Sequence, residues 1–248
     1  MTREQPKQQP PPVQRLRIRY AKRGRLRFTS HRDVSRAVER ALFRARIPMA
    51  YSSGFNPHPR ISYAGAAPTG SASEAEYLEI ALAAQVDPAW VHAEVDAALP
   101  EGLDVVEVVP SSGGALADRL EASVWRIVLD EPAPEQLPEA LTALLATEEV
   151  MVERMTKKGL RRFDAREAIL AARVGEPLEE RPGCAILEVV LRHGSPSVRP
   201  DDVLAALREA SGSGVRAAVQ QRLVQGPLDL AGGTVGDPLV PDRDAAGG

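Results

Sequence analysis

The chain is short of cysteine and of aromatic side chains: Cys184 is the single thiol, and Phe, Tyr and Trp make up 4% of 248 residues. One thiol excludes an internal disulfide and any cysteine-rich zinc or iron–sulfur centre. With so few rings, the core must be built mainly from Leu, Val, Ile and Ala, and at 44% apolar residues there is enough material for one. No run approaches 18 apolar residues, so no membrane-spanning helix is expected. The opening Met1-Thr2-Arg3-Glu4-Gln5-Pro6 lacks the apolar stretch of a signal peptide. Neither G-x-x-x-x-G-K-[ST] nor G-x-G-x-x-G occurs, so nucleotide sites of those kinds, and a resident cofactor, are not expected. The expectation is a cytoplasmic protein.

What the sequence does have is a lopsided charge. The net charge of −3 is the balance of two unlike halves. Residues 1–63 hold 15 Lys/Arg against 3 Asp/Glu, a net of +12, and the remainder holds 16 against 31, a net of −15. Such asymmetry suggests a face that meets a polyanion. The plainer alternative is that the basic segment lies against the acidic remainder inside the fold.

Residues 1–14 are rich in Pro and Gln and read as a disordered tail, as do residues 226–248, rich in Gly, Pro and Asp. Ser111-Ser112-Gly113-Gly114 opens a linker over 111–121. A basic domain over 15–110 and a second domain over 122–225 are expected on either side. In the first, Leu16, Ile18 and Tyr20 alternate with Arg15, Arg17 and Arg19, the pattern of a half-buried strand, and Leu26 and Phe28 continue the alternation. Ser30 is placed as an N-cap with Asp33 three residues on. Val34, Ala37, Val38, Ala41, Leu42 and Ala45 then recur at helical spacing, and Ile47-Pro48 ends the helix. Strands near 61–66 and 75–84, a helix from Asp87-Pro88 and a strand over 103–109 complete the order. The second part repeats it, with Cys184 read as core. The expected fold is α+β, two tandem ferredoxin-like (split βαβ) domains.

Four groups of residues could carry chemistry. Arg32, Arg36, Arg40 and Arg44 run along one helix face at i, i+4 spacing, and Arg15, Arg17 and Arg19 share one strand face. Guanidinium forks suit phosphate, and a row of like charges gains from an anionic ligand. The loop Gly54-Phe55-Asn56-Pro57-His58-Pro59-Arg60 is stiffened by two prolines. It presents Phe55, Asn56, His58 and Arg60: Phe55 could stack on a base, Asn56 could read an edge, and Arg60 could hold a phosphate. His31, Asp33 and His58 are weak candidates for acid–base or metal chemistry, because no local metal-binding spacing joins them. Lys157, Lys158, Arg161 and Arg162 form a basic cluster in the second part.

The run Leu26-Arg27-Phe28-Thr29-Ser30-His31-Arg32-Asp33, with Ile47 to Ser62 including Gly54-Phe55-Asn56-Pro57-His58-Pro59-Arg60, resembles the radical-SAM-linked family of unknown function, in its stand-alone actinobacterial type. Lys157-Lys158-Gly159 and Ser195 to Pro200 extend the resemblance over residues 15–210. It implies a B12-binding radical SAM protein as partner, and the family's gene neighbourhoods, near ribonuclease E/G and ribosomal proteins, imply RNA. Radical SAM enzymes hold their cluster with Cys-x3-Cys-x2-Cys, which one cysteine cannot supply. The leading expectation is therefore an RNA-binding accessory protein rather than an enzyme. The alternatives are an RNA endonuclease or modifying enzyme using His31 or His58, for which CRISPR-processing ferredoxin-like nucleases offer a fold-level analogy, and a module that docks a radical SAM partner without RNA.

Overall fold

The computed structural model describes residues 8–131, 133–156, 159–212 and 214–247. The chain folds as a mixed α+β protein of two compact units. The first takes residues 1–69, 74–118 and 238–248, and the second takes 70–73 and 119–237.

In the first unit the alternating opening forms β1 (Gln14–Lys22), with Leu16, Ile18 and Tyr20 buried. The Ser30 hydroxyl caps α1 (His31–Arg44): it accepts from the Asp33 amide at 3.3 Å and donates to the Asp33 carboxylate at 2.7 Å. The apolar positions of α1 follow the helical period and are buried. β2 (Ile61–Ala64), β3 (Ala72–Leu82), α2 (Pro88–Ala98) and β4 (Leu103–Pro110) follow. β1 lies between β4 and β3, and β2 pairs antiparallel with β3. Leu16, Ile18, Leu78 and Ile80 from the strands share one core with Val34, Val38 and Leu42 of α1 and Val91 and Val95 of α2.

The second unit runs β5 (Ala122–Glu131), α3 (Leu137–Ala146), β6 (Met151–Thr156), β7 (Gly159–Asp164), β8 (Ile169–Val174), β9 (Ala185–Arg192), α4 (Pro200–Ser211) and β10 (Arg216–Gly226). Two short strands, β11 (Leu228–Asp229) and β12 (Thr234–Val235), then pair with each other. Strands in the order β8-β9-β5-β10 make an antiparallel sheet, and Ala72 and Ser73 run parallel to Gln221 and Arg222 of β10. β6 and β7 pair only with each other among the described residues. α3 packs on α4.

Several expectations are corrected. Leu26 and Phe28 do not extend the strand: residues Gly24–Phe28 form a 3-10 turn opened by Gly24 at φ +54°, and Phe28 is exposed. β7 and β8 are additional strands without a period-two pattern to read: β7 is largely exposed with only Phe163 buried, and β8, Ile-Leu-Ala-Ala-Arg-Val, is apolar almost throughout with only Ile169 buried. Cys184 lies just before β9 and is only partly buried, its Sγ 3.6 Å from Asp130 Oδ1. The segment 226–248, expected to be structureless, holds β11, β12 and a terminal helix, α5 (Val240–Gly247). Two anchors order α5, the buried Leu239 and Asp242, and neither is visible in a composition dominated by Gly, Pro and Asp. Ser111 to Gly114 are not a slack linker either: Gly113 and Gly114 carbonyls accept from Arg17, and Ser112 binds Asp242. Among the described residues no helix is long and apolar enough to cross a membrane.

Candidate nucleic-acid interface

The arginines of β1 are consumed within their own unit. Arg17 is 0% exposed; its Nε donates to Glu79 at 3.0 Å and its Nη1 to both oxygens of Asp242 at 2.9 Å. Its Nη2 donates to the Gly113 and Gly114 carbonyls at 2.8 and 2.7 Å. Arg15 pairs with Glu79 at 2.8 Å, and Arg19 donates to the Glu74 carbonyl at 2.9 Å. Burial alone would raise the Glu79 and Asp242 carboxyls. Hydrogen bonds from Arg15, Arg17 and Ser111 on Glu79, and from Ser112 and Arg17 on Asp242, outweigh it and hold both below their ordinary values. Arg17 is sealed off from any ligand, Arg19 is half-buried on a carbonyl, and the exposed Arg15 is paired with Glu79, so the strand does not present the row of open cations expected of Arg15, Arg17 and Arg19. For this strand the plainer alternative holds: basic residues meet acidic partners inside the fold.

The outer face of α1 is different. Arg32, Arg36, Arg40 and Arg44 are all exposed. Arg36 lies 3.7 Å from Asp33, while Arg32, Arg40 and Arg44 have no carboxylate within ion-pair distance among the described residues. Neighbouring guanidinium groups one turn apart repel by a few tenths of a kcal/mol per pair. Glu39 is the one carboxylate set into the row, and with Arg36, Arg40, Phe43 and Arg44 it lines a shallow groove of about 580 Å³.

A ring sits on this charged face. Phe43 is 81% exposed, Phe55 67% and Phe28 60%, and Arg27 stacks on Phe28 at 4.5 Å. Of four phenylalanines in the chain, only Phe163 is buried. Leaving a phenylalanine in water forgoes roughly 1.5–3 kcal/mol of burial. A single case is ordinary, but three within residues 28–55, interleaved with arginines, match the stacking platforms and cations of single-strand binding surfaces.

The loop after α1 is rigidly closed. Ser52 donates to the His58 carbonyl at 2.9 Å, the His58 amide donates to the Ser52 hydroxyl at 3.0 Å, and Arg60 Nε donates to the Tyr51 carbonyl at 3.1 Å. Gly54 at φ +140° occupies a conformation that side chains resist. Phe55, Asn56 and His58 project as exposed side chains, and Arg60 is half-buried.

His31 opens α1 with its ring edge-on to Tyr63 at 5.0 Å, and Asp33 is engaged by Ser30. The Ser35 hydroxyl donates to the His31 carbonyl, and the buried Tyr63 Oη has no hydrogen-bond partner among the described residues. Burial pushes the Tyr63 phenol up to about 12, and the Glu39 carboxylate adds to the rise. His31, Asp33 and His58 do not form a metal-ligating group, and no such group of three occurs among the described residues. In the second unit Arg161 and Arg162 stand exposed on β7, whereas Lys157 and Lys158 lie outside the described residues.

Phe43, Arg46 and Tyr51 are not among the residues the sequence singles out. Phe43 was detectable, because it falls off the apolar stripe of Val34, Val38, Ala41 and Leu42 and onto the arginine side. Nothing local marks Tyr51, which is brought to the end of α1 only by the turn at Ile47-Pro48.

The model of a family described as an uncharacterized protein conserved in bacteria (DUF2344) matches residues 15–200. No curated protein matches. A solved structure of DyPB from Rhodococcus jostii RHA1 aligns over 89% of this chain and 94% of that one, at 14% identity and a TM-score of 0.21, too low to bear on fold or function.

Proposed function

We propose that this chain, which belongs to the DUF2344 family of uncharacterized proteins conserved in bacteria, binds single-stranded RNA along the outer face of α1 as an accessory to a radical SAM enzyme in the cytoplasm. The observation behind the reading is the exposed row of Arg32, Arg36, Arg40 and Arg44, short of carboxylates and interrupted by the exposed Phe43. Arginine forks fit phosphate oxygens, and a sequence-tolerant ring stacks on whichever base passes. The loop bearing Phe55, Asn56, His58 and Arg60 would meet an unstacked base, and Arg161 and Arg162 would add a second phosphate contact.

The radical SAM partnership rests on the sequence resemblance, and the single Cys184 leaves the three-cysteine cluster to the partner. Each unit is proposed as a ferredoxin-like split βαβ sandwich. The order β1, α1, β2, β3, α2, β4 with β1 between β4 and β3 supports this, and so does the order β8-β9-β5-β10 in the second unit.

Binding of a labelled single-stranded RNA by the full chain tests the reading. Affinity should fall steeply with salt, with a log–log slope of about −0.7 per phosphate contacted. Arg36→Glu with Arg40→Glu should abolish binding while the circular dichroism spectrum stays unchanged. Undiminished binding by that variant removes α1 from the interface, and no binding at low salt overturns the proposal. Crosslinking in cells, with recovery of bound RNA and protein together, tests the partnership.

A further inference from the structure

At the end of α1 the chain holds a non-glycine residue in the left-handed region. Arg46 has φ +54°. Its amide donates to the Phe43 carbonyl at 3.1 Å, and the Ile47 amide donates to the Leu42 carbonyl at 3.0 Å. This double bond pattern is the helix-ending motif in which glycine is the favoured residue, since any Cβ is strained there. An arginine at a strained position points to a use for its side chain. That side chain lines a groove of about 640 Å³ together with Glu39, Phe43, Arg44, Tyr51 and Pro59. The groove is within the size range of small-ligand sites.

Its chemistry is specific. Phe43 and Tyr51, 81% and 41% exposed, offer two ring faces. Arg44 and Arg46 have no carboxylate within ion-pair distance among the described residues, which leaves them available for phosphate. Glu39 is exposed with no cation within ion-pair distance among the described residues, and a carboxylate offers two acceptor oxygens. Two adjacent acceptor oxygens match two adjacent donors. Guanine alone among the four RNA bases presents a ring N–H beside an amino group on its Watson–Crick edge. Uracil presents a donor between two acceptors, which would face the carboxylate unfavourably.

We infer that this groove takes one guanine of the bound strand, stacked against Phe43 and Tyr51, with Glu39 accepting from its N1–H and N2–H groups and Arg44 and Arg46 on the flanking phosphates. The inference rests on the proposed RNA interface and deepens it. Arg36, Arg40 and their row supply affinity; Glu39 supplies choice of base.

The test uses the full chain and labelled hexauridylate, compared with hexamers carrying one central guanine, adenine or cytosine. The guanine hexamer should bind about tenfold more tightly, the discrimination typical of one bidentate base contact. Glu39→Gln should lose that preference, bringing the guanine hexamer to the affinity of the other three. Guanosine monophosphate should compete poorly, the strand supplying the flanking phosphate contacts. Equal binding of all four hexamers, or a Glu39→Gln loss common to all of them, overturns the guanine site and leaves the RNA interface standing. Failure of every hexamer to bind at low salt overturns both.

Discussion

Arg17 and Asp242, 225 positions apart in the chain, meet in a two-pronged hydrogen bond at 2.9 Å with neither side chain exposed. The pair divides the basic N-terminal segment into two parts with different fates. Strand arginines are drawn inward to hold the C-terminal helix and the Ser111–Gly114 turn. Helix arginines are left outside with little to neutralise them.

Asp242→Ala would leave the Arg17 guanidinium buried with less of its compensation. Removing one partner of a buried pair typically costs about 3–5 kcal/mol, and Glu79 and two carbonyls temper that here. A loss of about 3 kcal/mol in urea unfolding is expected. RNA affinity of the folded fraction should not change, because β1 is not in the interface. A variant of full stability would show that α5 does not anchor the first unit.

Acid should act through the same network. Glu79 and Asp242 both sit below their ordinary values of 4.5 and 3.8 in the folded chain. Depressed carboxylates contribute stability that is fully present above those values and is lost as pH falls through the folded ones. The unfolding midpoint should therefore be flat with respect to these groups from pH 7 to about 5 and decline below it, and Asp242→Asn should flatten that decline. An unchanged acid profile in the variant would contradict the assignment.

Arg46→Gly relieves a left-handed residue whose strain is about 1–2 kcal/mol. Stability should rise by about 1 kcal/mol in denaturant unfolding, while affinity for single-stranded RNA falls several-fold. A variant that is more stable and binds as well as the parent would mean that the arginine has no role in the groove.

Phe43 is too exposed to contribute to the core, so Phe43→Ala should leave the unfolding free energy within about 0.5 kcal/mol of the parent. Affinity for RNA should drop by roughly 1–3 kcal/mol, the usual worth of one stacked base. Isothermal titration beside thermal unfolding measures both. A stability loss without a binding loss would reverse the account.

Much of this arrangement is legible along the chain. Ser30 and Asp33 mark the start of α1, the spacing from Val34 to Ala45 fixes which face is buried, and that in turn leaves Arg32, Arg36, Arg40 and Arg44 outside. Alternation in Arg15 to Tyr20 gives the strand but not what covers its polar side. Period-two patterning says that Arg17 faces away from Leu16 and Ile18; only the returning C-terminus makes that second face an interior. Residues brought together by chain reversal are equally silent, as Tyr51 is beside Phe43. Short anchored elements such as α5 escape because two isolated buried residues, Leu239 and Asp242, and not an apolar stripe, dock them.

The claim that the outer face of α1 grips a phosphate chain is tested most directly by the salt dependence of RNA affinity in the parent and in a variant with Arg32, Arg36, Arg40 and Arg44 all changed to Gln. The account predicts weaker binding and a log–log slope shallower by roughly 0.7 for each phosphate contact removed. Parallel lines of equal slope for parent and variant would contradict it.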